Sequence, residues 1–258
     1  MRKIWILAIS VAIVGGVVLF EQWTALMFPM VEFEPSPLPE LHIGRMFVYD
    51  YKIAGEPVGN YTFWIDSLGP YLEEGAGLSM AEAVYHAKSI TLAERDGNSV
   101  ALEAFFIFGF DLKPIEYRLN ATLGEAEEYI TCLFEEGRVL GLLETEGRII
   151  EEPLELPEGA VLIDNLMVGH WGLLFKAFTP EPGKRVEIDV YIPQTLRLYD
   201  LEIIAEKKPW TMTLGGENIE ARMVRVPELN LRFYLFEGEV IRMEETQQEI
   251  KLDLRPYG

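Results

Sequence analysis

Along most of the chain, apolar and polar residues alternate one for one. Residues 186–192 set the pattern: Val186, Ile188, Val190 and Ile192 alternate with Glu187, Asp189 and Tyr191. Period-two alternation sends successive side chains to opposite faces of a β-strand. The same reading predicts strands over 45–54, 58–66, 83–94, 99–110, 115–123, 128–135, 138–144 and 148–156. Further strands follow over 195–207, 210–214, 219–226, 231–236, 240–245 and 249–254. Short turn sequences separate them, among them Gly55-Glu56-Pro57, Asp96-Gly97, Glu146-Gly147, Gly215-Gly216 and Glu237-Gly238. Connections of hairpin length predict an antiparallel meander, because parallel neighbours need long crossovers.

The period changes once. Over 164–178 the apolar residues Met167, Trp171, Leu174, Phe175 and Phe178 fall at helical spacing. Asp164 is the predicted N-cap and Pro180 lies just past the end. Gly169 and Gly172 weaken such a helix intrinsically but let it approach a sheet closely. One helix among roughly a dozen strands must bury its apolar face against them. Strongly twisted large sheets curl. The predicted fold class is therefore mainly β: a large curved antiparallel sheet, or half-barrel, wrapping one short helix within a single domain of residues 45–258.

The N-terminal residues carry a different signal. Residues 4–20 are uncharged and apolar apart from Ser10 and two glycines, entered by Arg2 and Lys3 and left at Glu21. A bilayer-crossing helix needs about 20 apolar residues, with a range of roughly 17–25. An N-terminal transmembrane helix is thus expected within residues 1–32, a signal-anchor holding the protein at the membrane. The alternatives are a cleaved secretory signal and a buried core helix. Cleavage wants small residues at alternate positions, yet Ala25 has Trp23 two positions before it. No Lys or Arg follows Lys3 until Arg45, so the positive-inside rule keeps the N-terminus cytoplasmic and the soluble domain periplasmic or extracellular. Residues 33–44, with Pro35, Pro37 and Pro39, read either as a stiff extended spacer or as a loop leading into the domain.

Charge and chemistry narrow the function classes. The formal net charge of −20 argues against a nucleic-acid surface or a generic anionic-lipid surface. Cys132 is alone, which excludes an internal disulfide and a multi-thiolate metal site. It sits among apolar neighbours flanked by glutamates and reads as a small buried hydrophobe. His42, His86 and His170 are scattered, none at ligand spacing from another. No nucleophile elbow and no phosphate loop is present, so no catalytic residue, metal or cofactor is assigned. Paired glutamates such as Glu127 and Glu128 would point to opposite faces of a strand. Asn60 and Asn120 begin glycosylation sequons.

Three stretches carry a resemblance. Gly55, Pro57 and Gly59 form a turn between two strands. Pro180, Gly183, Lys184, Val186, Ile188 and Val190 follow the helix. Phe233, Leu235, Phe236, Gly238, Arg242 and Glu244 form a late hairpin. Over most of residues 45–254 the chain resembles a family of bacterial envelope domains of unknown function. That family looks like the half-barrel of the outer-membrane lipoprotein carriers, in which a curved sheet encloses apolar space. The resemblance carries over no catalytic residues; the anchor departs from freely diffusing carriers, which argues against shuttling and leaves binding or scaffolding as the implied roles.

Aromatic excess suggests where binding would occur. Phe106, Phe108 and Phe110, with Trp171, Leu174, Phe175 and Phe178, are the candidate lining of a pocket for a lipid-like ligand, or they simply fill the core. The function expected is that of a non-enzymatic, membrane-tethered envelope protein whose curved sheet binds a lipid-like ligand or an envelope protein partner. The alternatives are an accessory subunit of a surface assembly and, third, a cell-wall hydrolase.

Overall fold

The computed structural model describes residues 27–70, 83–95, 97–164 and 167–256. The expected membrane span of residues 4–20 lies outside the described residues, and among those described no helix is long and apolar enough to cross a membrane. The described residues form sixteen strands and one α-helix. The first arm of the sheet comprises β1 (Met46–Ile53), β2 (Glu56–Pro70), β3 (Ala83–Arg95), β4 (Asn98–Phe108), β5 (Pro114–Leu123), β6 (Ala126–Glu135), β7 (Arg138–Thr145) and β8 (Arg148–Glu155). Then come β9 (Val161–Leu162), helix α1 (Val168–Ala177), β10 (Arg185–Ile192) and β11 (Arg197–Ala205). The chain finishes with β12 (Trp210–Leu214), β13 (Glu217–Val226), β14 (Leu231–Phe236), β15 (Glu239–Glu245) and β16 (Ile250–Leu254).

All these strands join one sheet in the order β8-β7-β6-β5-β4-β3-β2-β1-β16-β15-β14-β13-β11-β10-β9, with β12 added on β13. The meander is antiparallel as the turns dictate, with one exception: β9 runs parallel to β10. Two residues carry no readable period, so that strand was not foreseen. β1 sits in the middle, paired to both β2 and β16, and ties the first half of the chain to its end. The sheet curls until its two arms meet face to face. Phe134 on β6 packs edge-on against Tyr191 of β10 with centroids 5.7 Å apart. On β7, a Cβ on Gly141 would stand 2.6 Å from the Tyr191 hydroxyl, so only glycine permits that approach.

The helix lies in the concavity, against β2 and β15. It is shorter than the predicted 164–178, and its N-cap is Met167, not Asp164. Asp164 is drawn instead into buried contacts described below. Gly169 is the point of closest approach: a Cβ there would meet the Phe63 ring at 2.2 Å. Gly172 meets nothing nearer than Val240 at 3.9 Å.

Residues 33–44 lie against the domain. Ser36 N–H donates to Ala177 O at 3.0 Å and Leu38 N–H to Phe110 O at 2.8 Å. Leu38 and Leu41 are buried in the core. Further upstream, Pro29 and Val31 exchange backbone hydrogen bonds with Arg185 at the start of β10. The outermost strand β8 is exposed on both faces, with Glu151, Glu152 and Pro153 along its length. Charge and proline are features that discourage edge-to-edge pairing.

Candidate functional site

Of the candidate lining residues, Phe106, Phe108, Trp171, Leu174 and Phe175 come together in one buried cluster. Trp171 is fully buried, its ring centroid 4.9 Å from Phe233 and 6.0 Å from Phe175. Phe106 and Phe108 stack at 4.7 Å. Phe178 is partly buried against Phe33 at 5.1 Å. Phe110 does not join them: it lies beyond the end of β4, is 43% exposed and packs against Tyr85. The cavity beside this cluster, between Phe106, Leu112, Ile163, His170 and Leu174, has a volume of about 10 Å³. That is close to the smallest space that holds one water, whereas small-molecule sites run from roughly 300 Å³ upward. Helix α1 fills the half-barrel.

A polar cluster at the start of the helix was missed by the pattern. Asp164 accepts a hydrogen bond from the Tyr117 hydroxyl, and its own N–H donates to His170 Nδ1 at 3.0 Å. Gly169 N–H donates to the Tyr61 hydroxyl oxygen at 3.0 Å. Gln194 Nε2 reaches the Tyr117 oxygen at 3.5 Å. Burial pushes His170 down to about 3, so the imidazole stays neutral and serves as an acceptor. Burial, joined by the Asp164 carboxylate, pushes Tyr117 well above its ordinary value. An aspartate, a tyrosine and a histidine in contact suggest acid–base chemistry, yet the adjoining space admits no substrate. Through Tyr61 the cluster satisfies the Gly169 N–H, one of the first-turn donors of a helix whose N-cap residue makes no side-chain cap. The signal for it was present in sequence: tyrosines at inward positions of β2 and β5, where a hydroxyl needs a partner.

The remaining candidates lie apart. His42 is exposed, and His86 is half-buried with its ring 5.9 Å from Phe105. Burial raises the Cys132 thiol to about 12, and Sγ lies 3.8 Å from the Tyr191 hydroxyl. Asn60 is half-buried in β2 between Asp50 and Leu92. Asn120 is exposed in mid-strand between Glu103 and Tyr129. Among the described residues no group of three or more His, Cys, Asp or Glu could hold a metal ion.

A larger concavity opens to the surface. An open groove of about 540 Å³ is walled by the β11–β12 connection, β13, the β14–β15 turn and the segment after α1. Lys207, Lys208, Arg222, Glu206, Glu220 and Glu237 line it over an apolar floor of Leu235 and Phe236. Glu206 is engaged by Arg225 at 2.9 Å. Lys207 and Arg225 both lie over the Phe28 ring, each 5.6 Å from its centroid, and Phe28 is buried beneath them. Trp210, next in sequence to the groove residue Pro209, is 51% exposed.

No family model matches the chain. No curated protein matches it either. Two solved structures are similar to it. One is a β-barrel-like protein of domain of unknown function DUF1849 from Brucella abortus, 11% identical, with 86% of this chain and 97% of that chain covered and a TM-score of 0.44. The other is a DUF1089 family protein from Pseudomonas aeruginosa, 16% identical, with 66% of this chain and 95% of that chain covered and a TM-score of 0.37.

Proposed function

We propose that the protein is a non-enzymatic domain tethered in the cell envelope, whose half-barrel is a filled scaffold that binds from its outer surface. The tether is the uncharged stretch of residues 4–20, with Arg2 and Lys3 on the cytoplasmic side and the domain beyond the membrane. The observation that carries the reading is the contrast between an interior cavity of about 10 Å³ and an outer groove of about 540 Å³. Carrying an acyl chain inside would require expelling Trp171 or Phe175, and vacating a large aromatic site typically costs about 3–5 kcal/mol. The resemblance to the lipoprotein carriers favours binding by the curved sheet; the filled concavity favours docking over carriage.

The full chain, in washed membranes and then purified in non-ionic detergent, tests this. Alkaline carbonate should leave it in the membrane pellet. Solvent extraction and native mass spectrometry should find no apolar molecule whose retention depends on helix α1. Release into the carbonate supernatant would refute the tether. A stoichiometric lipid held by the natural chain and lost from Trp171→Ala would refute the filled scaffold.

A second reading, an accessory subunit in a surface assembly, is favoured by one feature. The edge strand β8 exposes Ile149 at 70% and Ile150 at 48%, an apolar contact point for a partner's side chains on a strand whose own edge is guarded by charge and proline. Photo-crosslinking from position 149 in intact cells would capture such a partner, and an absence of adducts would count against it.

A further inference from the structure

We infer that the outer groove is a binding site for a zwitterionic phospholipid headgroup, with Lys207, Lys208 and Arg222 taking the phosphate and Glu220 and Glu237 taking the ammonium. The inference rests on the tether proposed above and specifies what the domain docks to. Its first support is charge placement. In a chain of net charge −20, cations such as Lys176, Arg185 and Arg242 lie within ion-pair distance of a carboxylate. Among the described residues, Lys207, Lys208 and Arg222, like Lys113, Arg148, Lys184, Arg197 and Arg232, have no such partner; what sets the three apart is that they line one groove together. Phosphate oxygens are their natural acceptors, and arginine can grip two of them at once.

The second support is the carboxylates in the same walls. Glu206 is already engaged by Arg225, which leaves Glu220 and Glu237 to face three cations. A purely anionic ligand would be repelled by those two and by the domain's overall charge. A ligand with a phosphate and an ammonium a few bonds apart answers both signs. The floor of Leu235 and Phe236 suits the glycerol end of such a lipid.

Position is the third support. Lys207 both lines the groove and covers Phe28. Phe28 is eight residues beyond Phe20, the last residue of the apolar stretch. At roughly 3.5 Å per residue the chain reaches at most about 28 Å, so the groove stays near the bilayer surface. Exposed Trp210 beside it is the residue type enriched at headgroup level.

The test uses the full chain in non-ionic detergent, with dihexanoyl phosphatidylethanolamine, dihexanoyl phosphatidylglycerol and inorganic phosphate as probes, read by native mass spectrometry. One saturable ethanolamine-lipid adduct per chain is expected, exceeding the glycerol-lipid adduct. The exposed-site variant Lys207→Glu/Lys208→Glu should weaken it by about 30-fold, taking roughly fivefold for each cation. Glu220→Lys should shift preference toward the glycerol lipid. Circular dichroism of each variant confirms the fold. Equal binding of both lipids by all forms, phosphate binding as tight as the ethanolamine lipid, or no adduct would each overturn the inference. The measurement needs no anchoring, so an adduct from a chain that carbonate releases would uphold the groove while refuting the tether.

Discussion

The two glycines of helix α1 make opposite predictions from the same substitution. Alanine in place of glycine inside a helix gains up to about 1 kcal/mol from backbone entropy alone, and less in the first turn. At Gly172 nothing opposes that gain, since the nearest atom to a new Cβ is Val240 Cγ2 at 3.9 Å, an ordinary contact. At Gly169 the new methyl would stand 2.2 Å and 2.4 Å from two atoms of the Phe63 ring and 2.7 Å from the Tyr61 hydroxyl. Neither neighbour has room to retreat: Phe63 and Tyr61 are buried core residues of β2, and Tyr61 accepts the Gly169 N–H. Overpacking of this kind costs roughly 1–3 kcal/mol, and misplacing the hydroxyl adds about 1 kcal/mol or more for the N–H left without its acceptor. Gly172→Ala should therefore stabilise by up to about 1 kcal/mol, and Gly169→Ala should destabilise by about 2–3 kcal/mol net. Urea unfolding of the detergent-solubilised chain, followed by near-ultraviolet circular dichroism, measures both. Changes in the same direction and of similar size in the two variants would mean that the helix is not pressed against β2.

Two further outcomes follow from the core. Trp171→Ala removes a fully buried indole packed on Phe233 and should lower stability by about 3–5 kcal/mol in the same unfolding assay; a loss below about 1 kcal/mol would mean the ring lines open space. His170 makes stability fall in mild acid. Its folded value of about 3 lies below the unfolded value near 6.5, so its contribution is intact above about pH 6.5. As pH falls, the unfolded chain binds a proton that the folded one refuses, and about 2 kcal/mol is lost by pH 5. His170→Asn, which keeps an acceptor for Asp164 N–H without titrating there, should flatten that slope, and an unchanged slope would place the acid sensitivity elsewhere.

What was legible in sequence depended on whether neighbours or distant partners decide a residue's role. β10 was readable because every second side chain from Val186 to Ile192 enters the core while Glu187 and Asp189 between them stay accessible; Tyr191, the third of the intervening residues, is buried instead where the two arms meet. The helix was readable for the same reason, its buried Trp171, Leu174 and Phe175 recurring at helical spacing. Asp164 was misassigned because its role is set by Tyr117, 47 residues earlier in the chain; a local cap rule has no access to that hydroxyl. Whether Phe106 and Trp171 line a pocket or fill a core was closed to sequence, since alternation is the same for an empty and a filled half-barrel. Phe110 was grouped with them by period alone, but the chain leaves the strand at Phe108 and turns it outward. The groove was invisible because Lys207, Arg222 and Glu237 come from three separate segments. Each charge read alone is a solvated turn or face, and only the fold makes them neighbours.

Helix α1 acts as a permanent part of the core and not as a lid over lipid-accessible space. Native-state hydrogen exchange of the amides in residues 172–177 tests it most directly. These amides should exchange only through global unfolding, at the same free energy as the central strands β1 and β16. Exchange through a separate opening several kcal/mol easier than global unfolding, slowed when excess lipid is added, would contradict it.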